Sequence, residues 1–286
     1  MGKLRGVREV QIMKRSKNIS TLLIYAALTA GSVIMIFPFV WMVLTAFKTN
    51  AEVMRIPPTI FPSDWNLISF QKVLELLPFK HLYINTALMI LFRVFFAAVF
   101  CSMAGYAFAK LNFKGKNFLF TLVIVQQMIP GQIFIIPQYQ MIAKMGMTNS
   151  VFALVFPGLV SAFGTFFLRQ AYMGIPDELS EAAYLDGCNQ WQTFTRVLFP
   201  LTRSSIAALS VFTAVFAYTD LMWPLIVNTN INSTTLSAGL STLNGQFSTN
   251  YPVLMAGSLL AMLPMVVLYL FFQKYFIEGI AMTGGK

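Results

Sequence analysis

Two sets of residues in this 286-residue chain stand where they can do more than pack. One is the polar stretch Gly174-Ile-Pro-Asp-Glu-Leu-Ser-Glu-Ala-Ala-Tyr-Leu-Asp-Gly-Cys-Asn-Gln-Trp-Gln-Thr-Phe-Thr-Arg-Val-Leu-Phe-Pro-Leu201, set between apolar runs. The other is a handful of polar groups inside apolar runs: Arg93, Asp220, and Gln126, Gln127 and Gln132 around Pro130-Gly131. The apolar runs hold no carboxylate pair, no histidine cluster and no nucleophile with its base, so they do not read as a catalytic centre. A metal site normally needs three or four ligands, and His81 is the single histidine. What these residues can do is recognise. Glu181 and Asp186 offer charge to a partner and the small Ala182 and Ala183 allow close approach. The glutamines offer amide donors and acceptors, and Arg93 and Asp220 can form an ion pair.

The elements that must carry these groups follow from composition. With 57% hydrophobic and only 10% charged residues, against roughly a quarter charged in ordinary domains, a soluble enzyme is excluded. Nearly uncharged runs fall at Ile19 to Phe47, Leu82 to Ala109, Asn117 to Ala143, Val151 to Leu168, Ser204 to Val227 and Pro252 to Gln273. Each is long enough to cross a bilayer, for which about 20 apolar residues suffice. The first follows Lys14, Arg15 and Lys17, but its apolar run outlasts a signal-peptide core, so it reads as an uncleaved helix. Fourteen of the 20 Lys and Arg fall on one side of these spans and five on the other, with Arg93 inside a span. That excess places both termini in the cytoplasm and explains the +10 charge without nucleic acid. The long segments Lys48 to His81 and Asn228 to Tyr251, rich in Pro and Asn, read as loops on the far side. Cys101 and Cys188 read as unpaired thiols.

The polar stretch reads as two short helices. Pro176 suits a first helical position, Asp177 and Glu178 favour the positive end of the helix dipole, and Gly187 supplies a left-handed stop. Asn189 then caps a second helix, with Gln192 at capping-box spacing. Leu179, Ala182 and Ala183 share one face of the first; Phe194, Val197 and Leu198 share one of the second, and Pro200 ends the unit. Two to eight residues join most neighbouring helices, so a mere turn needs no such pair. It is either an interfacial helix or a docking element, and its acidic face departs from the Lys and Arg usual at an interface.

Glu181-Ala182-Ala183, then Asp186-Gly187, then Phe194, Val197 and Pro200 resemble the EAA loop of binding-protein-dependent ABC importer permeases, at that family's spacing. Cys188 replaces the usual small residue, a mild departure. Further stretches resemble the maltose-type carbohydrate permeases: Asn85-Thr86, Ala104-Gly105-Tyr106-Ala107, Pro130-Gly131 with Pro137, Phe167-Leu168-Arg169-Gln170, Asp220 to Leu225, Leu263-Pro264, and the tail Gly279 to Lys286. The resemblance implies an all-α polytopic membrane protein of the type I importer permease fold. Its parts would be a cytoplasmic segment 1–18, a six-helix domain 19–277 with the coupling loop at 174–201, and a cytoplasmic tail 278–286. It also implies a bacterial cell-membrane location and ATP-driven import of a sugar. The implied partners are a second permease subunit, two ATPase subunits and an extracytoplasmic solute-binding protein. ATP and Mg would be bound by the ATPases, since this chain lacks a G-x-x-x-x-G-K-[ST] phosphate loop; it carries no cofactor of its own and catalyses nothing.

By the same resemblance, Glu181, Ala182, Ala183, Asp186, Gly187 and Pro200 couple to the ATPase, and Gly187 permits the turn between helices. Cargo is an oligosaccharide or, within the same family, glycerol 3-phosphate. An ATP-independent channel and a membrane enzyme are the readings of a different class. Gln126, Gln127, Gln132, Asp220 and Trp223 are candidates for the substrate route, the alternative for the glutamines being helix-to-helix hydrogen bonds. Counted from the outer ends of their spans, Arg93 lies about 16 Å and Asp220 about 12 Å deep, depths compatible with pairing. The tail is either a frayed end or an ATPase contact.

Overall fold

The computed structural model describes residues 2–245 and 249–284, with side chains from Thr21 onward as far as Val267 and at a few positions beyond. Every regular element among the described residues is helical. In chain order these are α1 (Gly2–Ala46), α2 (Asn50–Val53), α3 (Ile68–Leu76), α4 (Phe79–Lys110), α5 (Lys116–Met128), α6 (Ile135–Lys144), α7 (Val151–Val155), α8 (Ala162–Met173), α9 (Glu178–Leu185), α10 (Gln190–Gln192), α11 (Phe199–Leu201), α12 (Arg203–Thr219), α13 (Met222–Val227), α14 (Leu236–Ser241) and α15 (Tyr251–Gly284). The chain forms two compact units, 1–73 with 249–259, and 74–248 with 260–286.

The expected spans are not six uninterrupted rods. Thr21–Ala46 and Phe79–Lys110 are each long and apolar enough to cross a membrane. The third, fourth and fifth runs are instead broken helix pairs. Lys116–Met128 and Gly131–Lys144 meet at 99°, because Pro130 forces Ile129 out of the helical region to φ −88°, ψ 125°. Val151–Gly158 and Ala162–Met173 meet at 49°, with the Ser161 hydroxyl accepting from the Gly164 N–H to start the second limb. The fifth run stops at Thr219, because Asp220 is extended, and resumes only as α13. The sixth lies on α15, which reaches Gly284, so the expected tail continues a helix; its last two residues lie outside the described ones. At the other end α1 is one helix through the expected N-terminal segment and the first span.

The segments read as loops on the far side contain short helices. Lys48 to His81 holds α2, α3 and the first turn of α4, and Asn228 to Tyr251 holds α14. Their asparagines are structural. Asn85 Nδ2 donates to the Asn232 and Thr234 carbonyls, and Thr86 Oγ1 accepts from the Leu236 N–H at 2.8 Å. Asn228 Nδ2 reaches the Ser150 and Ser233 carbonyls.

In the larger unit α4 is the central rod, packed on α8 and α12. Gly105 permits the α4–α8 approach: a Cβ there would stand 2.9 Å from the Arg169 backbone nitrogen. One core, with Cys101, Tyr106, Leu168, Tyr172, Phe194, Leu198 and Leu209, lies at the end of α4 that meets the polar stretch. A second, with Met89, Ile142, Leu154, Ala217, Trp223 and Val227, lies nearer its other end.

Candidate functional site

The polar stretch folds as a helix followed by a wider helix. α9 begins at Glu178, two residues later than Pro176 would have started it, because the preceding residues are engaged elsewhere. The Lys110 ammonium at the end of α4 donates to the Ile175 carbonyl and to the Asp177 carboxylate. Gly187 sits at φ 83°, and its N–H and that of Cys188 return to Tyr184 and Ala183 carbonyls, a left-handed helix stop. Asn189 and Gln192 form the expected capping box, with both bonds at 2.9 Å.

From Thr193 to Leu198 the backbone widens into a π-helix, in which the Phe199 N–H reaches back five residues to the Phe194 carbonyl. Pro200 does not end the unit as expected: it lies within α11, and the chain turns at Thr202 into α12, 75° away. Pro200 cannot return an N–H to a carbonyl upstream, and π turns are one way a helix absorbs such a break.

The unit is held to the bundle by rings. Tyr106 of α4 lies 5.0 Å from Phe194, Tyr172 of α8 lies 6.0 Å from Tyr106, and Trp191 and Phe199 flank Phe194 at 5.5 and 5.7 Å between centroids. Phe194 and Leu198 are buried and Val197 half-buried, as their spacing implies. On α9 only Ala183 is buried, while Leu179 and Ala182 are exposed together with Glu181 and Asp186. The arrangement is thus anchored by its second helix and presents α9 outward. Tyr172 and Lys110 were not among the residues singled out from sequence, and Tyr106 and Arg169 entered there only as members of the stretches that resemble the permeases. Arg169 Nε donates to the Phe108 carbonyl, and its guanidinium lies 4.1 Å from the Phe120 ring centre.

Within the spans, Arg93 and Asp220 do pair, at 2.9 Å. Arg93 Nε and Nη2 also donate to the Leu154 carbonyl. Trp223 is buried and donates its Nε1–H to the Ala153 carbonyl at 2.7 Å. Pro157 explains that bond: it has no N–H to give to the carbonyl four residues earlier, which is that of Ala153. The same logic operates on α15, where Pro264 leaves the Leu260 carbonyl without its helical donor and the Tyr83 hydroxyl supplies one at 2.7 Å. The Tyr218 hydroxyl donates to the adjoining Ala261 carbonyl. The sequence signal for these donors was each proline, read four residues upstream. Gln126, Gln127 and Gln132 are exposed around the 99° break and make no side-chain hydrogen bond among the described residues. The structure does not bring them together with Arg93, Asp220 and Trp223 through any such bond.

A bacterial ABC transporter involved in import of the acidic polysaccharide alginate contains a chain of the same fold, with a TM-score of 0.77 and 20% identity over 92% of this chain and 98% of that one. The arabinooligosaccharides transport system permease protein AraQ of Halalkalibacterium halodurans is 35% identical over 88% of this chain and 92% of its own. The lactose transport system permease protein LacG of Rhizobium radiobacter is 29% identical, covering 89% and 93%. The sn-glycerol-3-phosphate transport system permease protein UgpE of Escherichia coli is 29% identical, covering 91% and 95%. Residues 102–281 match the family described as binding-protein-dependent transport system inner membrane component. That match takes in more than half of the chain, including the whole polar stretch, and the protein therefore belongs to this family of membrane transport components.

Proposed function

We propose that this chain is one transmembrane half of an ATP-driven importer for oligosaccharides or related carbohydrates, crossing the membrane several times with both termini in the cytoplasm. It pairs with a second, non-identical permease, receives cargo from an extracytoplasmic solute-binding protein, and is driven by two ATPase subunits docked on α9. The observation that carries this reading is the asymmetry of the polar stretch. Its second helix is sunk into the core through Phe194 and Leu198, while α9 leaves Glu181, Ala182 and Asp186 free for a partner. Motion imposed on α9 passes through Gly187 and the rings into α4 and α8 as displacement of packed rods, since close-packed cores shift between discrete arrangements.

Glu181→Lys reverses the charge at the docking face, and Gly187→Val places a branched side chain at φ 83°, a region such residues avoid. Both variants are expected to insert into the membrane yet lose uptake in proteoliposomes supplied with the ATPase, the binding protein and ATP. Normal transport by both would overturn the coupling role. In the exposed glutamines the reading has polar groups for a hydroxyl-rich solute. Gln127→Leu and Gln132→Leu are expected to impair some sugars more than others, whereas equal loss for every sugar would mean packing.

The likeness to UgpE supports a second cargo, a glycerol phosphate. Binding measurements on the cognate solute-binding protein decide between them, a neutral oligosaccharide supporting the first reading and a phosphate ester the second.

A further inference from the structure

The segment following α1 is an elaborate closed loop with an apolar outside. Asn66 Nδ2 donates to the Phe47 carbonyl at 3.0 Å, closing residues 47–66 on themselves, and the Trp65 and Phe47 rings lie 5.3 Å apart. Inside, the buried Glu52 carboxylate accepts from the Ser63 N–H, the Ser63 hydroxyl and the Thr59 hydroxyl. Burial pushes the Glu52 carboxyl up, but those donors and nearby Lys48 outweigh it and hold it below its ordinary value. The interior is therefore polar, satisfied and fixed. Its exterior carries Met54, Ile56, Ile60, Phe61 and Trp65, exposed by 59 to 97%. Arg55 is exposed among them.

The direction in which this loop folds says what covers those side chains. The Lys48 ammonium donates to the Thr59 carbonyl while lying 4.9 Å from the Trp41 ring centre. Trp41 is five residues inside the end of α1, about 7.5 Å along the helix, and helical side chains lean further toward the N-terminus. Thr59, and the adjoining Ile60 and Phe61, thus stand beside the last turns of the span rather than beyond them. The apolar helix Thr21–Ala46 has 26 residues, about 39 Å at 1.5 Å each, against a hydrocarbon core of about 30 Å. Its last turns therefore occupy the headgroup boundary, and the loop lies at the same depth.

We propose that loop 47–66 is a membrane-interface anchor. Met54, Ile56, Ile60, Phe61 and Trp65 sit in the acyl–headgroup boundary of the leaflet where α1 ends, and Arg55 reaches the lipid phosphates. Aromatic rings and Arg are the residue types that settle in this layer, and an apolar surface of this kind left in water would be costly. The proposal rests on the family's membrane placement, not on coupling or cargo, so its failure would leave the permease reading standing.

The test is a nitroxide placed by Ile56→Cys and, separately, by Phe61→Cys, in a Cys188→Ala background, within the assembled transporter in vesicles of phosphatidylethanolamine and phosphatidylglycerol. Collisions with oxygen are expected to exceed those with a water-soluble nickel chelate several-fold at both sites, with the reverse at a control Asn50→Cys label. Nickel-dominated relaxation at 56 and 61 would put the loop in water, and protection from both reagents would put protein over it; either overturns the proposal. Should the labelled variants fail to assemble, the unmodified chain is irradiated with a photoactivatable phospholipid. Adducts on residues 54–65 are then expected, and their absence refutes the anchor.

Discussion

The polar stretch and the Arg93 junction both fasten α4 to its neighbours, but by opposite physics. At the first, Tyr106, Tyr172, Trp191, Phe194 and Phe199 meet through rings, and the polar groups that matter are local caps on a short helix. At the second, a guanidinium, a carboxylate and an indole hold the broken fourth and fifth spans by charge and by donation to single carbonyls. Apolar contact is graded: a ring can shift and keep most of its dispersion energy. A buried charge pair is closer to all-or-none, because either partner alone is left unsatisfied in a medium that cannot solvate it. On the proposed reading, the graded contact lies where an ATPase would push and the unyielding one where the spans stay broken at a set place.

Four substitutions test that contrast, in order of expected effect. Asp220→Ala leaves the buried Arg93 with only the Leu154 carbonyl to bond; because the carboxylate is partly exposed, the loss is about 3 kcal/mol, the lower end for a broken buried pair, read as a fall in the detergent-unfolding midpoint and in uptake. Arg93→Met with Asp220→Leu should recover most of it; additive losses would show that the pair is not the unit. Phe194→Ala removes the central ring of the proposed coupling contact, about 3 kcal/mol at the lower end for such truncations, whereas Phe194→Leu should keep much of the packing and partial ATP-driven uptake. If the leucine variant falls as far as the alanine one, the contact is not graded as argued.

Trp223→Phe keeps the bulk but orphans the Ala153 carbonyl, about 1 to 3 kcal/mol, or less where membrane neighbours or water find the carbonyl. Differential scanning of the purified chain in detergent would measure it, and no shift at all would remove the donor argument. Asn189→Ala deletes one cap of the polar stretch, about 1 kcal/mol. It should raise hydrogen exchange locally around Gln190–Gln192 without changing the global unfolding midpoint.

What was legible depended on whether a signal was local. The Asn189–Gln192 box, the left-handed Gly187 and the inward face of Phe194 and Leu198 were all readable, because caps, positive φ and helical spacing act over a few residues. Helical spacing placed Leu179, Ala182 and Ala183 on one face of α9 but left open how much of it is covered, and only Ala183 finds a core to enter. The third to fifth runs looked continuous because hydropathy measures whether a segment tolerates lipid, not whether its axis is straight. The 99° turn at Pro130 lies inside one such run.

Composition by itself determined that this is a helical membrane chain, and the EAA spacing carried a resemblance to importer permeases, because apolar excess and short-range motifs need no knowledge of what touches what. Tertiary structure alone decided that Arg93 meets Asp220 across 127 positions of chain, that Trp223 and Tyr83 serve carbonyls freed by prolines, and that loop 47–66 folds back along its own span. Such contacts depend on helix rotation and adjacency, and a linear pattern of side chains leaves both undetermined.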